Sequence, residues 1–132
     1  MPRRVTPLAL AAAMALGGCG SDDKKDAQDA FREFVAATNR HDARKLCDDL
    51  LTKQFIEQTT GATGGNARDS CKQQYRLLRP VKLGLSAIKD TKILGDNATL
   101  AVTLRVQDET QDRVVRLRKE DGRWRLAGGP GQ

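Results

Sequence analysis

One histidine, one tyrosine, one tryptophan and three phenylalanines are all that 132 residues supply, with three cysteines beside them. The single histidine, His41, limits metal chemistry. A structural zinc site wants four nitrogen or sulfur ligands, and Cys47 and Cys71 would need two more. Also missing is the Gly-Lys-Ser/Thr ending of a phosphate-cradling loop, so the glycine- and threonine-rich stretch at 59–66 reads as a mobile connection. After Leu16 no apolar run approaches the roughly 20 residues that cross a bilayer as a helix. What remains is enough chain for one domain of a little over a hundred residues, able to bury a working core.

The clearest positive signal lies in residues 97–127. Ala98, Leu100, Val102, Leu104 and Val106 alternate with Thr99, Ala101, Thr103 and Arg105. Val115 and Leu117 alternate with Val114, Arg116 and Arg118, and Trp124 and Leu126 with Arg123 and Arg125. A period of two marks antiparallel strands with one face buried and one in water. Asp121-Gly122 between two such runs suits the positive φ of a two-residue hairpin turn. Upstream, Val81, Leu83, Leu85 and Ala87 predict one further strand within 81–94. Its alternation falters around 88–91, as at a bulge, and Gly95-Asp96-Asn97 is turn chemistry.

The N-terminal residues read as an address. Arg3 and Arg4 precede a mostly apolar stretch at 5–16, too short for a membrane span and typical of a secretory signal peptide. It ends in Leu16-Gly17-Gly18-Cys19, which resembles the lipobox of bacterial lipoproteins. The resemblance implies cleavage after Gly18 and a diacylglyceryl thioether on Cys19; an ordinary signal peptide with a chance cysteine is the plainer alternative. Two or more acyl chains hold a protein stably at a membrane, at about 0.8 kcal/mol per buried CH₂. The expected location is the outer face of the cytoplasmic membrane, or the outer membrane of a double-membrane organism. Residues 19–25 are expected to form the lipidated cysteine and a flexible tether, 26–128 the folded domain, and 129–132 a tail. The formal charge of +6 loses two units with Arg3 and Arg4, leaving a mildly basic surface.

Three helices are predicted before the sheet. Asp26 with Asp29 resembles a capping box, followed by Ala27, Ala30, Phe31, Phe34, Val35 and Thr38 at helical spacing. Asp42 can cap a second helix carrying Ala43, Leu46, Cys47, Leu50 and Leu51. Thr52 restarts a short turn with Phe55 and Ile56. Asn66 and Asp69 open the third helix, with Ala67, Cys71, Tyr75 and Leu78 on one side, and Arg79-Pro80 closes it. Cys47 and Cys71 thus face inward from separate helices. In an exported chain they are expected to pair, closing a loop worth roughly 3 kcal/mol on the chain-entropy model; a metal site is the rival reading. His41 falls in an inter-helix turn.

Helices followed by about four antiparallel strands make an α+β domain with helices on one face of a curved sheet. This order, with Gly-Asp-Asn-Ala-Thr entering one strand and Asp-Gly-Arg-Trp-Arg-Leu forming the last hairpin, resembles the nuclear transport factor 2-like superfamily, a cone-shaped roll. More narrowly it resembles the small lipoproteins of that superfamily. The resemblance implies a site inside the cone, where enzymes of this kind place an acid or base; the superfamily also holds adaptors and binding proteins, so fold alone does not choose.

Inside the cone the inward strand positions are nearly all apolar, and the acids fall in turns and on helix exteriors. A general acid or base needs an enclosed setting, and none stands out. The expected pocket is Phe31, Phe34, Tyr75, Leu100, Val102 and Trp124, although core packing is the plainer account of Tyr75 and Trp124. On the outer face, Arg105, Arg116, Arg118, Arg123 and Arg125 form a candidate docking surface, against the plainer reading of long side chains over a solvated sheet. No cofactor or metal is implied. The expected role is non-catalytic binding of a small apolar ligand or an envelope protein. An isomerase- or dehydratase-like enzyme using Tyr75 and a homodimer through the sheet are the alternatives, and the exported address argues against nucleic acid.

Overall fold

Ala27, Phe31, Phe34 and Val35 recur at helical spacing and are all buried, which fixes how the first helix lies on the sheet. A computed structural model describes residues 21–79 and 81–128 of the chain. In it α1 spans Ser21–Asn39. Residues 21–25, expected as a flexible tether, are therefore the opening turns of α1, and Asp26 is not its cap. The physical reason is visible in the contacts. Asp22 and Asp23 occupy the first turn, where the helix dipole favours negative charge, and Asp23 Oδ1 lies 3.1 Å from Lys119 Nζ on the sheet. The lipobox and Cys19 lie outside the described residues, as does the tail at 129–132.

The turn after α1 puts His41 at φ 56°, exposed. Asp42 then caps α2 (Ala43–Lys45), its carboxylate accepting from the Lys45 N–H at 3.0 Å. α2 runs directly into a π-helical turn, Leu46–Leu50, closed by the Leu51 N–H donating to the Leu46 carbonyl. Thr52 caps α3 (Lys53–Thr60) through its hydroxyl. The expected long loop shrinks to three residues. Gly61, at φ 72°, ends α3 in a left-handed cap, and α4 (Gly64–Leu77) starts two residues before Asn66. Glu57 bridges the join by accepting from the Gly64 N–H. Among the described residues there are thus four helices and a π turn where three helices and a short turn were expected. Cys47, on the π turn, is bonded to Cys71 on α4.

The sheet holds β1 (Leu83–Leu94), β2 (Asn97–Val106), β3 (Glu109–Glu120) and β4 (Arg123–Gly128), in that spatial order and antiparallel throughout. All three hairpins close with two residues. Asp121 and Gly122 both have positive φ, as a type I′ turn demands, and so do Gln107 and Asp108, a pair with no glycine to announce it. β1 begins at Leu83, two residues after the expected start. Its register slips between Leu85 and Ala87 and again between Ile88 and Asp90. These irregularities turn Ala87, expected inward, out to solvent and bring Thr91 in. Leu51 joins β4 by an isolated parallel bridge, and the Thr52 N–H donates to the Leu126 carbonyl, so the helical segment is stitched to the sheet edge.

The four helices pack on one face of the curved sheet. Between them lies one core of Phe31, Leu46, Leu51, Ile56, Leu100, Val102, Leu104, Val115 and Leu117, each under 3% exposed. Among the described residues the two buried threonines are satisfied, Thr52 as a cap and Thr91 by accepting from Gln28 Nε2 at 2.9 Å, whereas the buried Trp124 Nε1 and Arg125 Nε have no hydrogen-bond partner. No described helix is long and apolar enough to cross a membrane.

Candidate functional site

The inner face of the sheet decides where a ligand could sit. Four of the six expected pocket residues are packed shut: Phe31 and Leu100 have no exposed area, and Val102 and Trp124 are buried. Lys119 Nζ sits 5.6 Å from the Trp124 ring centroid, covering it from the α1 side. Tyr75, on α4, is partly buried against the core, and burial pushes its phenol above the usual value of 10.0. It does not reach the sheet's open end. Of the expected set, Phe34 lines a cavity.

That cavity, about 270 Å³, opens at the mouth of the cone. Phe34 comes from α1, Leu83 from β1, Leu104 and Val106 from β2, and Gln111 and Arg113 from β3. Two features of the chain create it. α1 ends at Asn39, whose side-chain amide donates to the Leu83 carbonyl and accepts from the Leu83 N–H, both at 2.7 Å. β4 is only half as long as β3, so the first half of β3 has no neighbour beyond it. Gln111 pairs with Leu104 and Arg113 with Val102, which places both on the inner face in line with Val115 and Leu117. Continuing the inward alternation of β3 backwards through 113 and 111 would have found them. Arg113 donates through Nε and Nη2 to the Gln111 side-chain Oε1 at 3.0 and 2.6 Å. The guanidinium is thereby steadied beside an otherwise apolar hollow. The lining contains no carboxylate, histidine or tyrosine.

The outer arginines divide. Arg125 is withdrawn: only 11% of its side chain is exposed, and its Nη1 donates to the Asp48 carbonyl at 2.7 Å, holding the π turn against β4. Arg105 pairs across the sheet with Thr110, six residues from Arg116. That separation is about 20 Å at 3.4 Å per residue, so Arg105 does not belong to the cluster; it lies 3.9 Å from Asp108. Arg123 lies at the same distance from Asp49. Arg116 and Arg118 are left, exposed, side by side on β3, with no carboxylate within salt-bridge distance among the described residues. Elsewhere on this face, Asp112 accepts from Lys89 Nζ and the Thr103 hydroxyl, both at 2.8 Å, and those hydrogen bonds hold its carboxyl below the usual range. Among the described residues no three His, Cys, Asp or Glu side chains gather to hold a metal ion.

Helices cradled by a curved four-stranded antiparallel sheet, with a cavity at the cone's open end, define a nuclear transport factor 2-like α+β roll. The chain is similar to several solved structures. A nuclear transport factor 2-like protein of unknown function from Silicibacter pomeroyi superimposes with a TM-score of 0.52 at 16% identity, over 81% of this chain and 92% of that one. A similar protein from Cytophaga hutchinsonii gives 0.45 at 14% identity, over 76% and 86%. An epoxide hydrolase from M. tuberculosis gives 0.47 at 17% identity, over 81% of each chain. No family model matches the sequence, and no curated protein does. The fold is thus established and leaves the chemistry to the site.

Proposed function

We propose that the chain is an exported lipoprotein, anchored through Cys19, whose roll binds a small, largely apolar ligand bearing a hydrogen-bond-accepting or anionic group, without transforming it. One observation carries this reading: a hollow at the mouth of the cone is walled by Phe34, Leu83, Leu104 and Val106, with Arg113 braced over it by Gln111, while Phe31, Leu100, Val102 and Trp124 are packed shut. Apolar walls supply affinity through burial, and one fixed donor supplies orientation. A lining without a titratable acid or base supports holding over catalysis. The anchor's place is consistent with this arrangement. α1 begins two residues after Cys19, and Phe34 lies about 20 Å further along it at 1.5 Å per residue. The mouth would then open away from the bilayer.

The test uses Cys19→Ser protein, which is expected to leave the membrane fraction in cells. Anilinonaphthalene sulfonate, an apolar ring system with one anionic group, is expected to bind this protein saturably with blue-shifted emission. Arg113→Gln should weaken binding about tenfold, the loss of one charge-assisted hydrogen bond of roughly 1.4 kcal/mol, and Leu104→Trp should block it. Equal dye binding by all three proteins would remove the mouth as the site. Retention of Cys19→Ser in membranes would separately remove the anchor.

A further inference from the structure

Arg116 and Arg118 stand at successive outward positions of β3, about 7 Å apart along the strand. Across from them on β2 are Thr99 and Asn97, their direct cross-strand partners. Gln54 and Gln58, one turn apart on α3, complete the rim of a basin of about 430 Å³. Every polar side chain lining it is a guanidinium, an amide or a hydroxyl, and none is an acid.

The basin is shaped for its arginines. Gly128, buried at the end of β4, pairs with Arg116 across a bulge, and a methyl group there would stand 2.9 Å from Arg116 Nη2. The missing side chain is the space in which the guanidinium lies. On the other side Arg125 faces Arg118 across β3 and β4 but is turned away to the π turn, with Glu120 3.9 Å from its Nε. Glu120, two residues from Arg118 on the same strand, is thereby drawn to Arg125, and it also accepts from the Lys53 N–H. Among the described residues these two like charges stand together without a counter-charge, a repulsion that an anionic ligand would relieve.

We infer that this basin, distinct from the cone mouth and independent of the reading given for it, is a binding site for an anionic carbohydrate. The paired guanidinium groups would grip a phosphate or carboxylate by parallel hydrogen bonds. The amides of Gln54, Gln58 and Asn97 each offer donors and an acceptor, and with the Thr99 hydroxyl they match sugar hydroxyls, which need both. The shared chemistry is a negatively charged group on a polyhydroxylated ring. A sugar phosphate and a uronic acid oligomer are two sources of it.

The test is nuclear magnetic resonance titration of ¹⁵N-labelled Cys19→Ser full-length chain with glucose 6-phosphate, with digalacturonic acid and with inorganic phosphate alone. Saturable shifts of the Arg116 and Arg118 side-chain signals and the Gln54, Gln58 and Asn97 amides are expected with at least one sugar, at least fivefold tighter than with phosphate. Arg116→Gln with Arg118→Gln should weaken that binding tenfold or more. Gly128→Ala, which displaces the Arg116 guanidinium while keeping its charge, should weaken it several-fold, and an unchanged amide spectrum elsewhere shows that either variant is folded. Phosphate binding as tightly as both sugars would overturn the carbohydrate reading. Unsaturable shifts, or equal affinity in the double variant, would overturn the site itself.

Discussion

Tyr75 is the chain's only tyrosine, so its ionisation can be followed alone. Burial favours the neutral phenol in the folded state, raising its pKa above 10.0. The associated stability is fully present below pH 10 and is lost as pH climbs through the higher folded value. Lys119 acts in the same direction. The hydrogen bond to Asp23, followed by that carboxylate's charge, raises the ammonium pKa above 10.5, so its contribution too disappears in alkali. Absorbance titration at 295 nm is expected to give a folded-state midpoint above 10.0. Tyr75→Phe should leave stability near pH 7 within about 0.5 kcal/mol and lessen the fall in Tm between pH 10 and 11. A midpoint at or below 10.0 would show the phenol to be solvated. At this scale the sequence was informative about type and weak on setting. That Tyr75 sits against the core follows from its place on a helical stripe. That it is remote from the mouth depends on how α4 lies against α3 and the π turn.

At the scale of elements, one residue clamps the end of α1 to the start of β1, beyond the Gln28–Thr91 hydrogen bond that joins the same two elements further along. Asn39 ends the helix and imitates a strand neighbour by giving β1 both a donor and an acceptor at Leu83, 44 residues away. Asn39→Ala removes both bonds in a partly solvated place and should cost about 1–2 kcal/mol. Chemical denaturation measures that loss, and amide hydrogen exchange at the start of β1 should quicken with it. A loss below 0.3 kcal/mol would mean that water replaces the clamp without penalty. Most elements were legible. Asp42 and Thr52 cap as their chemistry predicts, and the Asp121-Gly122 hairpin closes as expected. Two boundaries were not. The polar run 21–25 looks like a tether because its own sequence offers no apolar stripe; it is helical because Asp23 finds Lys119 almost a hundred residues later. The Gln107-Asp108 turn carries no glycine and is set by the registers of β2 and β3 on either side.

At the scale of the whole molecule, the Cys47–Cys71 bond ties the π turn, which packs on β4, to α4, which packs on the other helical segments and not broadly on the sheet. The bond spans a separation of 24 residues. Removing it as Cys47→Ala with Cys71→Ala should cost about 3 kcal/mol on the chain-entropy model. For a domain of roughly a hundred residues that corresponds to a fall in Tm of more than 10 °C. Differential scanning calorimetry checks this, and a fall under 3 °C would mean that helix packing alone holds the segment. The arginine face shows the limit of pattern reading at this scale. Alternation correctly turns Arg116 and Arg118 outward, yet it treats five arginines as one surface. The fold hides Arg125 under the π turn and strands Arg105 at the far end of β2.

The sequence by itself determined β2, β3 and β4, their buried face and two of the hairpin turns, because each is a local rule of period or of turn chemistry; it left the inward cysteines between a disulfide and a metal site. Only the tertiary structure decided which part of that buried face stays open. Whether an inward side chain is packed or left at a mouth depends on where the elements above and beside it stop, and α1 stops at Asn39 while β4 covers only half of β3. Leu100 and Leu104 read alike in the sequence. One is sealed in the core and the other, although buried, forms the floor of the cavity, because roofing is a property of neighbours distant in the chain.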